Sequence, residues 1–351
     1  MALIGLLKRK LPFWAAVSLK RKVFGAVERF PYAIQFNPSY KCNLKCSYCD
    51  CGIKKHENQE LSTEEIFAMI DQYADLGTSR ISFTGGEPLM RKDLPEMVNY
   101  ARGKGLFVSV ATNGTYVPKK LERLKGVNSF NLTLDGPEEI HDSQRGKGNF
   151  QSVLVAVRAI KEAGIPVYLN TVLTKNNAEK LEEVIEIAQK LGVKLLIQPV
   201  FFSEFSHANA EENVEEASSE KEIIIEALHW LIKRKEFKDP TLMLSKKYYQ
   251  QVINYMHTGM KMKCQYASSG SLLYATISPE GNVTPCNLLV RRTDYLNGRE
   301  QGFDQAFFQM PSHPCEGCIS SFIDIDQFLF LDLAVAGNYL SHYFSLFSKH
   351  R

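Results

Sequence analysis

The sequence predicts an α/β fold, a partial (β/α)6 TIM-like barrel followed by a small loop-rich C-terminal domain. Six buried strands rich in β-branched residues alternate with amphipathic helices, which is typical of a parallel sheet. Six such units are fewer than the eight that close a full barrel, so an open barrel is favoured. The length of 351 residues exceeds the size at which one hydrophobic core usually stops growing, which leaves room for an appended domain.

The strand predictions rest on short apolar runs bounded by turn residues. The six predicted strands cover residues 33–36, 81–84, 106–112, 130–134, 167–173 and 193–200.

The helix predictions rest on apolar residues at helical spacing, several of them followed by the glycine that commonly closes a helix. The predicted helices cover residues 63–76, 94–104, 150–163 and 178–191, and the closing glycines are Gly77, Gly105, Gly164 and Gly192.

A change of composition marks the end of the barrel. Residues 203–222 contain seven Glu and one Lys, a pattern typical of a solvated segment. The predicted division is a basic amphipathic segment at 1–30, the barrel at 31–220, a helical connector at 221–263, the C-terminal domain at 264–320 with a hairpin around Pro279–Asn282, and an amphipathic helix at 321–351.

The overall composition is that of an ordinary soluble globular protein. The chain is 44% hydrophobic and 23% charged, with a formal net charge of +3. These values disfavour a disordered chain, and the small net charge provides no global basic field for nucleic acid. We therefore expect no nucleic-acid partner.

Both termini are amphipathic. The first thirty residues hold seven Lys or Arg and one acid, Glu28, around apolar runs that include Phe13 and Trp14. They do not have the order of a secretory signal, so we expect a cytoplasmic protein. The segment fits a helix lying in a membrane interface or a solvated basic helix packed on its own domain, and peripheral membrane contact stays open. Residues 328–347 are interrupted by polar side chains, which favours an amphipathic helix over a membrane span.

The eight cysteines fall into two groups. Cys42, Cys46 and Cys49 lie directly after the first predicted strand, where barrel enzymes place active-site loops. With Cys51 they could close a zinc site. Three thiolates without a fourth would instead hold an iron–sulfur cluster with one iron open to another ligand.

The spacing Cys-x3-Cys-x2-Cys, with Tyr48 before the third cysteine, resembles the signature of the radical S-adenosylmethionine superfamily. The resemblance implies that Cys42, Cys46 and Cys49 hold a 4Fe–4S cluster whose fourth iron binds the amino and carboxylate groups of S-adenosylmethionine. Cys51 has no place in the pattern.

The same resemblance assigns polar residues at the other strand ends to S-adenosylmethionine. Gly85, Gly86 and Glu87 would bind its ammonium group, and Arg145 would offer a bidentate fork to its carboxylate. Asn170 would meet the ribose. Three more strand ends carry polar residues of the same pocket, and these are Asn113, Asp135 and Gln198. His141, in the same family segment as Arg145, is expected to be a loop residue.

The second cysteine group resembles the twitch domain, the shortened form of the SPASM extension found behind many of these barrels. Its pattern is Cys264, then Gly281-x4-Cys286, then Cys315-x2-Cys318. The resemblance implies one auxiliary 4Fe–4S cluster with all four irons ligated, and hence an electron-relay role. A structural zinc ribbon would use the same four thiolates, so both alternatives stay open here.

Together these patterns imply a radical enzyme that cleaves S-adenosylmethionine to a 5′-deoxyadenosyl radical, which removes a hydrogen atom from the substrate. The expected partners are a low-potential electron donor such as flavodoxin or ferredoxin and a small-molecule, lipid-linked or peptide substrate. Peptides are the less attractive choice because no separate peptide-recognition domain is evident. No residue stands out as the group that quenches the substrate radical. The competing hypothesis is a non-enzymatic, zinc-stabilised binding module with membrane- or partner-binding termini.

Overall fold

The structure is a computed structural model. It describes residues 31–49, 59–200, 214–236, 239–258, 274–286 and 295–311, with the side chains of 214–219 and 235–236 outside the description. Both termini, Cys51, Cys264, Cys315 and Cys318 therefore lie outside the described residues.

One eight-stranded sheet organises the described residues, in the strand order β6-β5-β4-β3-β2-β1-β7-β8. All neighbouring strands are parallel except the antiparallel pair β7 and β8. The strands are β1 (Ala33–Phe36), β2 (Arg80–Phe83), β3 (Phe107–Thr112), β4 (Ser129–Thr133), β5 (Val167–Leu173), β6 (Lys194–Pro199), β7 (Tyr274–Ile277) and β8 (Val283–Thr284). The order β1 to β6 and the intervening helices give the predicted partial barrel.

Helices separate the strands as expected from the alternating pattern. They are α1 (Thr63–Asp75), α2 (Leu94–Gly103), α3 (Val117–Lys120), α4 (Glu138–Arg145), α5 (Asn149–Glu162), α6 (Leu181–Leu191), α7 (Val214–Glu236), α8 (Lys246–Thr258), α9 (Gly298–Gln301) and α10 (Phe303–Phe308). Short 3-10 turns cover Pro88–Met90, Leu121–Leu124 and Ala178–Lys180. Among the described residues, no helix combines the length and hydrophobicity that crossing a bilayer would need.

The two faces of the sheet differ in chemistry. Alternate residues of each strand point to opposite faces. One set is apolar and almost completely buried, as Ile81, Phe83, Val108 and Val110 are. The helices pack on this face, where burial stabilises by about 25 cal/mol per Å² of apolar surface. The opposite set is mostly polar and half-buried, and it faces the inside of the barrel.

The sequence prediction of the elements is largely confirmed. The six predicted strands match β1 to β6 within a residue at each end, and α1 begins where the Ser62 capping box closes on Glu65. The predicted hairpin is formed by β7 and β8. One expectation is wrong, because His141 lies in α4 and is fully buried.

The hairpin is joined directly to the barrel. β7 pairs in parallel with β1, from Ala33 with Tyr274 to Phe36 with Ile277. Further along the chain, the Arg299 guanidinium holds the Glu65 carboxylate through two bonds of 2.6 and 2.9 Å. The strand assigned to the C-terminal domain thus extends the barrel sheet itself.

Candidate functional site

The polar residues predicted for the site gather at the carboxyl edge of the barrel sheet. The cysteine loop follows β1, Gly85 follows β2, Asn113 follows β3 and Asp135 follows β4. Because these strands are parallel, their carboxyl ends meet at one edge. The strand ends that carry the predicted site residues therefore lie together at one edge of the sheet.

The cysteine loop is a compact turn. The Cys49 amide donates to the Cys46 carbonyl at 3.0 Å, and the Leu44 amide donates to Cys42 Sγ at 3.4 Å. Cys46 is 8% exposed, and the other two thiols are half-buried. Burial raises the pKa of Cys46 to about 11, and the negative fields of Cys49 and Cys42 add to this effect. The three thiols therefore lie close enough to influence one another.

Gly86 allows the backbone of the cysteine loop to lie directly against the residues that follow β2. The Gly86 amide donates to the Ser39 carbonyl at 3.0 Å, and the Glu87 amide donates to the Lys41 carbonyl at 2.9 Å. A Cβ atom at Gly86 would lie 2.3 Å from the Lys41 carbonyl oxygen, closer than any real contact. Only glycine lets the two backbones approach in this way.

Glu87 ties β2 to β3. Its carboxylate is 1% exposed and accepts three hydrogen bonds, from the Leu89 amide at 3.0 Å, the Thr112 hydroxyl at 2.8 Å and the Asn113 amide at 2.8 Å. Burial raises the pKa of Glu87, although these bonds oppose the shift. A carboxylate offers about four lone-pair positions, so one acceptor position remains beyond the three that are used.

Asn113 connects the strand ends to the cysteine loop. Its side-chain amide donates to Asn43 Oδ1 at 2.8 Å and lies 4.0 Å from Cys42 Sγ. Its own Oδ1 accepts from the Thr115 amide at 3.0 Å. Asn113 is therefore a positioning residue for the segment that carries Cys42.

Asp135 and Arg145 form a buried ion pair beneath the loop. Asp135 Oδ2 accepts from Arg145 Nη1 at 3.1 Å and from the Tyr48 hydroxyl at 2.5 Å, and Arg145 also donates to Tyr48. The two charged side chains are 0% and 9% exposed. Burial opposes the charge of Arg145, but Tyr48 and Asp135 outweigh it and raise the pKa of the guanidinium.

This arrangement bears on the predicted role of Arg145. One Nη is engaged by Asp135 and Tyr48, while the buried Nε has no hydrogen-bond partner among the described residues. The guanidinium thus keeps donors for a further acceptor, and its bidentate contact with a carboxylate stays a prediction.

His141 and Asn149 form a chain of buried hydrogen bonds that joins the end of β4 to the end of β3, and sequence reasoning missed both. The Asp135 amide donates to His141 Nδ1 at 3.0 Å, and His141 Nε2 lies 3.0 Å from Asn149 Oδ1. The Asn149 amide group in turn donates to the Asn113 carbonyl at 3.1 Å. Apolar spacing gave no signal here, because α4 is short and mostly polar; the acidic first turn after Pro137 was the available clue.

Asn170 lies in the middle of β5, and Gln198 is the last residue but one of β6, close to the predicted strand end. Both occupy positions of β5 and β6 that face the inside of the barrel, where they are half-buried. Asn170 pairs in register with Thr133 of β4. Its buried Oδ1 has no hydrogen-bond partner among the described residues, so it has an acceptor to offer to a ligand.

Of the second cysteine group, the structure describes Cys286 alone. It follows β8, is half-buried and packs against the core, and its carbonyl accepts from the Thr284 hydroxyl at 3.1 Å. The three other predicted ligands lie outside the described residues, so the second cluster stays a prediction.

The first cysteine group has the donor chemistry of an iron–sulfur site, with three thiols on one turn. Within the described part of the chain, no three His, Cys, Asp or Glu side chains converge on one ion position. A cubane cluster binds each thiolate to a different iron, so its ligands need not converge. Three thiols on one turn, held against the strand ends at Gly86, suit a cluster that keeps one iron open for a polar ligand.

Comparison with protein families gives a match to the Radical SAM superfamily over residues 36–198. The match begins at the last residue of β1 and ends inside β6, so it covers β2 to β5 in full and all the predicted residues of the first site.

Two curated relatives align with the same region. Fe-coproporphyrin III synthase of Methanosarcina barkeri is 39% identical over 162 residues, which cover 45% of this chain and 41% of the relative. PqqA peptide cyclase of Granulibacter bethesdensis is 34% identical over 169 residues, covering 46% of this chain and 45% of the relative. The matched segments thus span less than half of either relative.

The fold is also found in solved structures. Streptococcus suis SuiB bound to S-adenosylmethionine superposes with a TM-score of 0.64 at 14% identity, covering 84% of this chain and 69% of that chain. At this identity the likeness establishes the fold alone.

Proposed function

We propose that this chain, which belongs to the radical SAM superfamily, cleaves S-adenosylmethionine reductively and uses the resulting radical to modify a substrate held inside the barrel. The observation that carries the proposal is the contact between the cysteine loop and Gly86, in which a Cβ atom would meet the Lys41 carbonyl at 2.3 Å. A loop held so closely against the strand ends would bring its three thiols to the mouth of the barrel.

The cluster would supply one electron to bound S-adenosylmethionine, giving methionine and a 5′-deoxyadenosyl radical that becomes 5′-deoxyadenosine when it takes a hydrogen atom from the substrate. The chain's own task is to hold the substrate carbon close to that radical and to exclude other hydrogen donors.

The residues at the mouth of the barrel would each bind a different group of S-adenosylmethionine. Cys42, Cys46 and Cys49 would hold the cluster. Gly85, Gly86 and Glu87 would receive the ammonium group, for which Glu87 keeps one acceptor position. Arg145 would reach the carboxylate with the donors that Asp135 leaves free, and Asn170 would bind the ribose through its unpartnered oxygen. Asn113, Asp135 and Gln198 would complete the pocket.

A second cluster on Cys264, Cys286, Cys315 and Cys318 would relay electrons to or from the substrate. With all four irons ligated, this cluster has no open position for the substrate. A flavodoxin or ferredoxin would reduce the first cluster.

The substrate class is a proposal too. The relatives are named for an iron coproporphyrin and for the PqqA peptide, so the family resemblance admits both a small molecule and a peptide. A lipid-linked substrate would suit the basic amphipathic residues 1–30 if they bind a membrane surface from the cytoplasm. Deleting residues 1–28 should then abolish flotation of the protein with anionic liposomes, and unchanged flotation would remove this segment as the anchor.

The test of the function is the formation of 5′-deoxyadenosine. Anaerobically reconstituted protein, reduced with dithionite, should convert S-adenosylmethionine to 5′-deoxyadenosine and methionine. Cys46→Ala should abolish this product, whereas Cys318→Ala should keep it and lose yield of modified substrate. Retained cleavage in Cys46→Ala, or a colourless protein that contains zinc and no inorganic sulfide, would contradict the proposal.

A further inference from the structure

The sheet opens between β3 and β4 at the mouth of the barrel. The two strands pair in register up to Thr112 and Leu132. Beyond this point each strand end bonds to its other neighbour, because the Asn113 amide donates to Glu87, which follows β2, and the Leu134 amide donates to a carbonyl of β5. The ladder between β3 and β4 therefore does not fix the distance between these two strand ends.

Two side chains, His141 and Asn149, bridge this opening. The bridge starts at the Asp135 backbone N–H, which can only donate, and ends at the Asn113 backbone carbonyl, which can only accept. His141 must therefore accept at Nδ1 and donate at Nε2, and Asn149 must accept with its oxygen and donate with its nitrogen. Each hydrogen bond of the bridge thus has one possible direction.

The bridge is buried and firmly held. His141 is 0% exposed and Asn149 is 3% exposed, and the Phe150 ring packs edge-on against the imidazole with the ring centroids 5.9 Å apart. Asp142, the residue after His141, accepts from the Phe150 amide at 2.8 Å and so joins α4 to the first turn of α5. Because both bridging side chains are buried, the loss of one partner would leave a polar group without a hydrogen bond.

The bridge connects the two groups that we assign to the amino-acid end of S-adenosylmethionine. His141 and Arg145 are four residues apart in α4, so they lie on the same side of that helix. At the other end of the bridge, the Asn113 amide donates to the Glu87 carboxylate at 2.8 Å. The bridge therefore joins the helix that carries Arg145 to the residue that orients Glu87.

The covalent structure of the ligand makes this distance important. The ammonium and carboxylate groups of S-adenosylmethionine are attached to one carbon atom, so the distance between them is fixed. A pocket that binds both groups must hold its acceptor and its donor at a matching separation, and small displacements are costly. A buried bridge of fixed length between the two binding groups meets this requirement.

We propose that His141 and Asn149 are positioning residues, which set the distance between Glu87 and Arg145 for the binding of S-adenosylmethionine. This inference rests on the proposed function and adds two residues that act through Asn113 and α4. The bridge supports binding and takes no part in the chemical step. Breaking it should therefore raise KM for S-adenosylmethionine and leave kcat at saturation close to the wild-type value.

Asn149→Asp is the main variant. Its carboxylate keeps the shape of the carboxamide and can still accept from His141, but it cannot donate to the Asn113 carbonyl. Asn149 is the first residue of α5, where a carboxylate is favourable, so the variant should fold. His141→Phe, which keeps a planar ring and loses both hydrogen bonds, is the second variant. Asn254→Asp makes the same chemical change as the main variant on the exposed side of α8 and is the matched control.

Equilibrium dialysis of radiolabelled S-adenosylmethionine measures the affinity. Each protein is reconstituted anaerobically and left unreduced, so that the ligand is not cleaved, and the proteins are compared at equal iron content. We expect Kd to rise by on the order of tenfold in Asn149→Asp and in His141→Phe, the effect of one lost hydrogen bond, while Asn254→Asp matches the wild type. After reduction, KM for S-adenosylmethionine in the formation of 5′-deoxyadenosine should rise by the same factor, with kcat nearly unchanged.

A merely structural role of the bridge would give a different pattern. It would lower the iron content and kcat and leave Kd unchanged. An unchanged Kd in Asn149→Asp, whatever its iron content and kcat, would therefore overturn the inference, as would an equal rise of Kd in Asn254→Asp. A reduced wild-type protein that binds S-adenosylmethionine but forms no 5′-deoxyadenosine would contradict the proposed function instead.

Discussion

Gly86 is the residue at which the smallest change should disturb the site most. In Gly86→Ala the new methyl group would meet the Lys41 and Tyr40 carbonyl oxygens at 2.3 and 2.6 Å, and neither backbone can yield without moving the cysteine loop. We expect iron binding by the first cluster to fall severalfold and 5′-deoxyadenosine formation to fall at least about tenfold, since small displacements in a site are costly. Iron analysis and product quantification after reconstitution measure both.

Gly103→Ala is the matched control for this change. A Cβ atom at Gly103 has no neighbour within 4 Å, and the residue ends helix α2. Alanine there should leave activity unchanged and raise helix stability by up to about 1 kcal/mol. Equal losses in the two variants would show that the close backbone contact at Gly86 is not the cause.

Asp135 and Arg145 allow a prediction about buried charge. Asp135→Ala removes the partner of a guanidinium that is 9% exposed, and breaking a buried ion pair in this way costs about 3–5 kcal/mol. The double variant Asp135→Ala/Arg145→Ala removes the stranded charge as well, so it should be more stable than Asp135→Ala. Urea unfolding under anaerobic conditions compares the two. A double variant that is less stable than the single one would contradict the view that the unpaired charge dominates.

At the residue scale, the sequence predicts the residues of a local motif. It does not predict hydrogen bonds between residues that are far apart in the chain. Three cysteines, two glycines and a carboxylate follow their strands at recognisable positions. The bond from Tyr48 to Asp135 joins residues 87 positions apart, and no local pattern announces it. For the same reason the ion pair between Arg145 and Asp135 was not predicted, although the two residues are only ten positions apart.

At the scale of elements, helix α4 holds the rim of the barrel through His141. The imidazole of His141 is neutral here, because its Nδ1 accepts a hydrogen bond from the Asp135 amide while its Nε2 donates one to Asn149 Oδ1. Burial lowers the pKa of His141, partly opposed by Asp135 and Asp142 and supported by Arg145. The helix thus depends on an unprotonated histidine.

This dependence gives a pH prediction. Since the folded-state pKa is below the unfolded value of about 6.5, the contribution of His141 to stability is complete above that pH and is lost as pH falls through the folded-state pKa. One proton changes the free energy of unfolding by at most about 1.4 kcal/mol per pH unit. Between pH 7.5 and pH 5.5, wild type should therefore lose more stability than His141→Gln, as measured by urea unfolding. Parallel losses would exclude His141 as the titrating group.

The strands and long helices were predictable because each carries its own periodicity. Helix α4 was not, because its eight residues are mostly polar and it is held by contacts to Asp135, which follows β4, and to α5. The parallel pairing of β7 with β1 could not be predicted either. It joins residues 33 and 274, and only the three-dimensional path of the chain brings them together.

At the scale of the whole molecule, the proposed function requires two clusters with different roles. Cys286 is the one predicted ligand of the second cluster that the structure describes, and it follows the hairpin that extends the barrel sheet. In Cys286→Ala we expect iron to fall from about eight to about four atoms per chain, while 5′-deoxyadenosine formation without substrate continues. Iron that stays at the wild-type value would remove Cys286 from the ligand set.

The central claim is that Cys42, Cys46 and Cys49 leave one iron open for S-adenosylmethionine, and electron paramagnetic resonance of the reduced protein tests it most directly. We predict that adding S-adenosylmethionine shifts the signal of one cluster in the wild type and in Cys286→Ala. In Cys46→Ala the signal sensitive to S-adenosylmethionine should be absent. A reduced wild-type protein whose spectrum does not change on adding S-adenosylmethionine would contradict the account.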